Sequence, residues 1–306
     1  MSVKSLSFEP FIFAFILILN LFWLPSTGVW QFYPQPSSAA TSGSDLLTYQ
    51  PHTIPKLKSS VSPPVTADYF ILVDAQTNTI LASRNHRARI YPASITKLAT
   101  AITALNIYPL DEVVTVYQEY SEGKVLGLKV NEKITVRSLV QALLIYSAND
   151  AAFNLASHHR QGIEGFISEM NQIAVKYKLS QTHFTNFDGV HHPDHYSTIY
   201  DLSQLGRLSL QNPIVTDVVK QKDMVVSDID GLFQHPIIST NELLGIKTEI
   251  EGLKTGWTPE AGGCFIGLIN IDGHYLISVV AQSQDRFQDT AALVDWAKSS
   301  VSWSTL

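Results

Sequence analysis

The sequence predicts an α+β fold, with an antiparallel sheet formed by both ends of the folded part and helices in its centre. Apolar runs separated by turn residues, the pattern of a β-hairpin, occur both near residue 70 and near residue 270. The segments between them place apolar residues three and four positions apart, which indicates amphipathic helices. Strands at the ends and helices in the middle favour one sheet covered by helices.

The two hairpins are marked by their turns. Residues 69–73 and 79–83 are strand-like, and the intervening Asp, Ala, Gln, Thr and Asn supply turn residues. Near the other end, residues 265–271 and 275–281 flank an Asp-Gly pair, which is a strong hairpin signal between apolar runs. A closing helix is predicted over 286–299, where apolar residues again recur at helical spacing.

The central helices are predicted from apolar spacing and from capping residues. Residues 162–177 form an amphipathic pattern, and its apolar positions are expected to lie in the core. A second helix is expected over 136–144, with Thr135 as its N-cap. A third begins near Thr198, because Asp201 follows it at the spacing of a capping box.

Composition limits the classes of function. The chain has 306 residues and a net charge of −6, so it lacks the basic character expected of a nucleic-acid-binding protein. Its single cysteine, Cys264, excludes an internal disulfide and a cysteine-rich metal site, and no metal or cofactor is predicted. Cys264 lies in an apolar run and is expected to be a buried strand residue.

The first 66 residues differ from the rest of the chain. Residues 11–24 are almost entirely apolar, so 1–24 are predicted to be a signal or anchor segment. Residues 25–66 are rich in Pro and Ser and are predicted to be a tether. An uncleaved membrane anchor is favoured over a cleaved signal peptide. Either one puts the folded domain, 67–306, on the extracytoplasmic side of the cell envelope.

A charge-poor helix contains the first candidate site. Residues 91–110 carry one charge, Lys97, so this helix is expected to be buried on most sides. Ser94 lies one helical turn earlier, on the same face. A serine nucleophile needs a base, and burial can lower the pKa of a lysine enough for it to accept a proton. Taken alone, the pair also fits a capping serine and a lysine that reaches solvent.

Two later segments complete a set of motifs. Ser147-Ala148-Asn149 and Lys254-Thr255-Gly256 follow Ser94 and Lys97, which gives Ser-x-x-Lys, Ser-x-Asn and Lys-Thr-Gly in that order. This order resembles the serine penicillin-recognising superfamily, with its β-lactamase/transpeptidase-like fold. The flanking residues, over 69–296, resemble the D-alanyl-D-alanine carboxypeptidases of the peptidase S11 type, which are low-molecular-mass penicillin-binding proteins.

The resemblance implies four catalytic residues. Ser94 would be acylated by the substrate, and Lys97 would accept its proton. Ser147 would relay a proton to or from the leaving amine. Asn149 would hydrogen-bond Lys97 and the substrate amide.

The resemblance also implies a substrate-binding strand. Lys254 and Thr255 would bind the terminal carboxylate of the peptide, because a lysine and a hydroxyl suit that group. Gly256 would let the substrate lie close to the sheet edge. The backbone N–H of Trp257, together with that of Ser94, would form the oxyanion hole.

The expected activity is therefore serine carboxypeptidase action on peptidoglycan stem peptides ending in D-Ala-D-Ala, with β-lactams as covalent inhibitors. An endopeptidase or transpeptidase of the same superfamily shares this acyl-enzyme and stays an alternative. A β-lactamase-like hydrolase is less favoured, because no glutamate between Asn149 and Lys254 begins a Glu-x-x-x-Asn pattern. A non-catalytic peptidoglycan-binding module is disfavoured because the motif residues are all present.

A second cluster, His191, His192, Asp194 and His195, contains residue types that bind zinc. Zinc ligands must converge on one point, and a proline interrupts this segment. A structural loop is therefore predicted here, leading into the helix that begins near Thr198.

Overall fold

The computed structural model describes residues 53–58 and 60–305. The predicted signal or anchor segment, 1–24, and the tether residues before 53 lie outside this part of the chain. Within the described ranges, no helix combines the length and the apolar character needed to cross a membrane.

The described residues form thirteen strands and seven α-helices. The strands are β1 (Thr53–Leu57), β2 (Tyr69–Asp74), β3 (Ile80–Arg84), β4 (Arg89–Ile90), β5 (Val113–Thr115), β6 (Lys133–Thr135), β7 (Ser197–Thr198), β8 (Asp223–Ser227), β9 (Gln234–Ile238), β10 (Ile250–Thr258), β11 (Gly262–Ile271), β12 (His274–Ser283) and β13 (Val301–Thr305). The helices are α1 (Thr96–Ile107), α2 (Val136–Gln141), α3 (Asn149–Ser157), α4 (Gly162–Lys176), α5 (Ile199–Ser209), α6 (Pro213–Val218) and α7 (Arg286–Ser300).

The central sheet has five antiparallel strands in the order β10-β11-β12-β2-β3. Both predicted hairpins are present, as β2–β3 and β11–β12, and β12 pairs with β2 to join the two ends of the domain. The predicted α+β architecture is therefore confirmed. Strand β10 is an edge strand, so one side of its backbone is available to a substrate.

The sheet separates two apolar cores. On β2, Ile71 and Val73 point into a large core shared with the central helices, whereas Phe70 and Leu72 point into a smaller core beneath α7. This alternation follows from the period of two along a strand. The molecule consequently has helices on both faces of the sheet, and α1 lies inside the larger core.

The predicted helix starts are confirmed by their caps. The Thr135 hydroxyl accepts a hydrogen bond from the backbone N–H of Ser138, and the Thr198 hydroxyl accepts one from Asp201. The predicted charge-poor helix is also buried, since every residue of α1 from Thr96 to Ala104 is buried. It begins later than residue 91, after a 3₁₀ turn at Ala93–Ile95.

The prediction of a tether over 25–66 is wrong for residues 53–57, which form β1. This strand pairs antiparallel with β13, a strand that the sequence did not predict. The Trp303 ring stacks on His274 with ring centroids 4.2 Å apart, and its indole N–H donates to Asp74 at 2.9 Å. Local composition cannot reveal this pairing, because the partner strand lies at the other end of the chain.

We expect Trp303→Ala to lower the free energy of unfolding by about 2 kcal/mol, because it removes a stacked ring and a hydrogen bond to buried Asp74. Urea denaturation measures this change. Tyr117→Ala, at an exposed aromatic residue, should leave stability within about 0.5 kcal/mol of the parent. Equal stability of the two variants would contradict an anchoring role for Trp303.

Candidate active site

Ser94 and Lys97 meet at the start of α1. Ser94 lies in the 3₁₀ turn, and the Lys97 amine donates to its hydroxyl oxygen at 2.9 Å and to the carbonyl oxygen of Asp188 at 2.6 Å. The Lys97 side chain is completely buried. Burial lowers the pKa of Lys97 to about 8, and the nearby Asp188 charge opposes part of this shift. About a tenth of these amines is therefore neutral at pH 7, and about half at pH 8.

Two glycines allow close packing around the turn that carries Ser94. Gly189 has a positive φ of 85°, and a β-carbon there would overlap the carbonyl oxygen of Ala93. On the other side, a β-carbon at Gly256 would lie 3.1 Å from the backbone nitrogen of Ser94. The sequence interpretation gave Gly256 the role of leaving room for substrate. The structure adds that its neighbour is the turn that carries Ser94.

A second serine–lysine pair lies beside the first. Ser147 follows a π-helical turn, Ala142–Tyr146, and adopts a left-handed conformation. The buried Lys254 amine donates to the Ser147 hydroxyl oxygen at 2.9 Å and to the Thr255 carbonyl oxygen at 3.0 Å. Burial is the main cause that holds the pKa of Lys254 well below its usual range, and the charge of Lys97 lowers this pKa further. The amines of Lys97 and Lys254 therefore do not readily carry a positive charge at the same time.

Asn149 has a different partner from the one the sequence implied. Its side-chain amide donates to the carbonyl oxygen of Glu122 at 2.9 Å, whereas the amine of Lys97 donates to Ser94 and Asp188. The loop containing Glu122 lies directly over Asn149, because Gly123 there has no side chain to collide with the amide. The hydrogen bond implied between Asn149 and Lys97 is therefore absent between these described residues.

The predicted site residues surround one cleft of about 320 Å³. Six of the eight line it directly, and Lys97 and Lys254 lie buried beneath Ser94 and Ser147. Trp257 is 60% exposed at the edge strand. The lining residues are Ser94, Gly123, Lys124, Ser147, Asn149, Asp188, Gly189, Val190, Thr240, Thr255, Gly256, Trp257, Thr258 and Arg286.

Sequence reasoning missed the other eight lining residues, and three of them are charged. The carboxylate of Asp188 accepts hydrogen bonds from the Tyr120 hydroxyl at 2.9 Å and from the backbone N–H of Val190. Arg286, the first residue of α7, lines the cleft near Thr255, and its buried Nε has no hydrogen-bond partner among the described residues. Lys124 lines the side of the cleft near Ser147 and Asn149. None of the three lies in the recognised motifs.

Asp150 holds the loop that covers Asn149. Its carboxylate accepts hydrogen bonds from the backbone N–H groups of Leu126, Gly127 and Leu128, at 2.9–3.1 Å. The backbone N–H of Asn149 in turn donates to the carbonyl oxygen of Lys124. The Ser-x-Asn motif and the loop that borders the cleft are thereby fixed to each other.

In the histidine cluster, His195 supports the nucleophile helix. Its Nδ1 accepts from the backbone N–H of Thr185, so Nε2 carries the proton and donates to the Thr96 hydroxyl at 2.8 Å. Burial lowers the pKa of His195 to about 3, and it is neutral at ordinary pH. Among the residues that the structure describes, no three histidine, cysteine or acidic side chains converge as metal ligands.

A serine hydroxyl bonded to a buried lysine, with a second buried serine–lysine pair beside it, defines a serine acyl-transfer enzyme. The family model for D-alanyl-D-alanine carboxypeptidases, Peptidase S11, matches residues 56–285. The chain belongs to this family.

Known relatives agree with this assignment. The chain is 30% identical over 256 residues to the D-alanyl-D-alanine carboxypeptidase DacD of Escherichia coli. This match covers 77% of this chain but only 64% of DacD. It is 31% identical to the D-alanyl-D-alanine carboxypeptidase of Streptomyces sp. strain K15, over 68% of this chain and 77% of that enzyme. The crystal structure of the Streptomyces K15 DD-transpeptidase superposes with a TM-score of 0.74 at 28% identity, covering 78% of this chain and 99% of that one.

We expect Gly189→Ala to abolish covalent labelling by penicillin, because the added β-carbon pushes the Ser94 turn out of position. Gly273→Ala is the matched control, since Gly273 has a φ of 86° but open space around its missing side chain. Both variants carry the conformational strain, of about 1 kcal/mol, and only Gly189→Ala adds the collision. Equal labelling of both variants by a fluorescent penicillin would contradict this assignment.

Proposed function

We propose that this chain is a serine D-Ala-D-Ala carboxypeptidase that removes the terminal D-alanine from peptidoglycan stem peptides. The observation that carries the proposal is the 2.9 Å hydrogen bond between Ser94 and the fully buried Lys97. Membership of the S11 family supports the choice of substrate. The chain spans 64% of the length of its DacD relative, so the activity is put forward for the part of the protein given by this sequence.

Acylation begins with neutral Lys97. It accepts the hydroxyl proton of Ser94, whose oxygen attacks the carbonyl carbon between the two D-alanines. The backbone N–H groups of Ser94 and Trp257 stabilise the negative charge that develops on the carbonyl oxygen. Ser147, hydrogen-bonded to Lys254, delivers a proton to the departing D-alanine amine.

The terminal carboxylate of the substrate is bound by Lys254, Thr255 and Arg286. The arrival of this anion favours the charged form of Lys254, which otherwise loses its proton easily in a buried site. The unpartnered Nε of Arg286 offers a donor that a planar carboxylate can use. The peptide itself pairs with the free edge of β10, on the side where Gly256 approaches Ser94.

Water then hydrolyses the ester on Ser94 and restores the enzyme. β-Lactams acylate the same serine and leave slowly, because no carboxylate among the described residues that line the cleft is free to activate a water against the adduct. The Asp188 carboxylate, the acidic group that lines the cleft, is engaged by Tyr120 and Val190. This arrangement supports a penicillin-binding carboxypeptidase over a β-lactamase of the same superfamily.

The same proposal includes a location on the extracytoplasmic side of the cell envelope. Peptidoglycan lies there, and the apolar segment within residues 1–24 has the character of an export signal or anchor. Residues 25–52 are proposed as the tether between that segment and the catalytic domain.

Ser94→Ala should abolish the release of D-alanine from a pentapeptide ending in D-Ala-D-Ala, because it removes the attacking oxygen. D-Alanine release and mass spectrometry after benzylpenicillin treatment measure this, and the adduct should map to the peptide containing Ser94. Ser180→Ala, at an exposed serine outside the cleft, should keep both properties. A covalent adduct in purified, folded Ser94→Ala would remove Ser94 from the mechanism.

The acylation rate should rise with pH and reach half its maximum near pH 8, because only neutral Lys97 accepts the serine proton. Below that midpoint the rate should fall about tenfold per pH unit. Asp188→Asn removes a charge that favours protonated Lys97, so the midpoint should move to lower pH. Stopped-flow acylation by a chromogenic β-lactam between pH 6 and 10 tests both statements, and a flat profile would contradict them.

A further inference from the structure

Lys124 is a cleft residue that the proposed mechanism does not use. It lines the cleft together with Gly123, Ser147 and Asn149. The terminal carboxylate of the substrate is already served by Lys254, Thr255 and Arg286. A further cation in the cleft therefore suggests a second anionic group on the ligand.

The position of Lys124 is set by the catalytic motif. Its carbonyl oxygen accepts a hydrogen bond from the backbone N–H of Asn149, at 2.6 Å. Its amine lies 3.8 Å from the centroid of the Tyr146 ring, and Tyr146 directly precedes Ser147. Asp150 holds the following residues of the loop through three backbone hydrogen bonds. Lys124 is exposed, but its contact with Tyr146 holds the amine beside the cleft.

No carboxylate within the described residues forms an ion pair with Lys124. The ion pairs of that part of the chain involve other cations, such as Lys129 with Glu119 and Lys220 with Glu251. Burial lowers the pKa of Lys124, so the site disfavours the charged amine until an anion binds beside it. The face of the Tyr146 ring partly stabilises the positive charge of the Lys124 amine, and a carboxylate would stabilise that charge more.

The cleft that contains Ser94 is also lined by Trp257, Gly123 and Lys124. A peptide acylated on Ser94 would place the residue that precedes D-Ala-D-Ala in this cleft, where its side chain would lie within reach of a lysine as long as Lys124. A glycine at position 123 lets this loop lie close to the Asn149 amide at the border of the cleft.

We infer that Lys124 binds a side-chain carboxylate on the residue that precedes D-Ala-D-Ala, so that stem peptides with an acidic third residue are preferred over neutral ones. This inference rests on the proposed carboxypeptidase function. It names the class of substrate that the cleft selects.

Two acetylated peptides that differ in one group test the preference: acetyl-L-Glu-D-Ala-D-Ala and acetyl-L-Gln-D-Ala-D-Ala. In the parent enzyme, kcat/KM for release of D-alanine should be about threefold to fivefold higher for the acidic peptide, as expected for a partly exposed ion pair. The ratio should fall towards one as salt is raised to 1 M, because the pair is screened.

Three variants separate charge from shape. Lys124→Gln should bring the ratio to about one, and Lys124→Arg should retain most of it because the positive charge is kept. Lys129→Gln removes a nearby lysine that lies outside the cleft lining and should keep the parent ratio. An unchanged ratio in Lys124→Gln, or an equal loss in Lys129→Gln, would overturn the inference.

A second measurement does not depend on peptide turnover. Carbenicillin differs from benzylpenicillin by one side-chain carboxylate, and both acylate the serine directly. The ratio of their acylation rates should fall in Lys124→Gln by the same factor of about three to five. If neither peptide releases D-alanine in the parent enzyme, the proposed function fails. The acylation ratio still decides the role of Lys124, and an unchanged ratio in Lys124→Gln overturns it.

Discussion

The burial of one lysine amine against one serine hydroxyl is the constraint on which the rest of this structure depends. An amine excluded from water loses its hydration, so its charged form is disfavoured and it becomes a base. Lys97 can be excluded only because α1 lies inside the larger core, among α2, α3, α4 and α5. The α+β architecture is thus what converts an ordinary Ser-x-x-Lys sequence into a reactive pair.

Close approach of backbone segments keeps the pair in place. Gly189 belongs to the loop whose Asp188 carbonyl accepts from Lys97, and Gly256 belongs to the edge strand that would hold the substrate. Because both lie against the turn carrying Ser94, this turn is one of the places where the helical region meets the sheet. His195 adds a buried, neutral hydrogen bond to the next residue, Thr96. Side chains larger than hydrogen at either glycine would separate these layers.

The sequence predicted the features that depend on nearby residues and missed the contacts between residues that are distant along the chain. The hairpins, the caps at Thr135 and Thr198 and the buried helix follow from periodicity and turn residues, and the motif segments led to six of the fourteen residues that line the cleft. The pairing of β1 with β13, the contribution of Arg286 and the position of Asp188 depend on residues that are distant along the chain. The partner of Asn149 was wrong for a similar reason. Its amide bonds to the carbonyl of Glu122, and no side-chain type encodes a carbonyl acceptor.

The pairing of β1 with β13 also fixes where Thr53 lies relative to the cleft. Trp303 contacts Asp74 and His274, which lie at the end of the sheet where β12 begins, whereas the cleft lies near Ser283, where β12 ends. Nine residues of extended chain separate these ends, a distance of about 30 Å. Thr53, the first residue of β1, therefore lies at the pole of the domain opposite the cleft, beside His274.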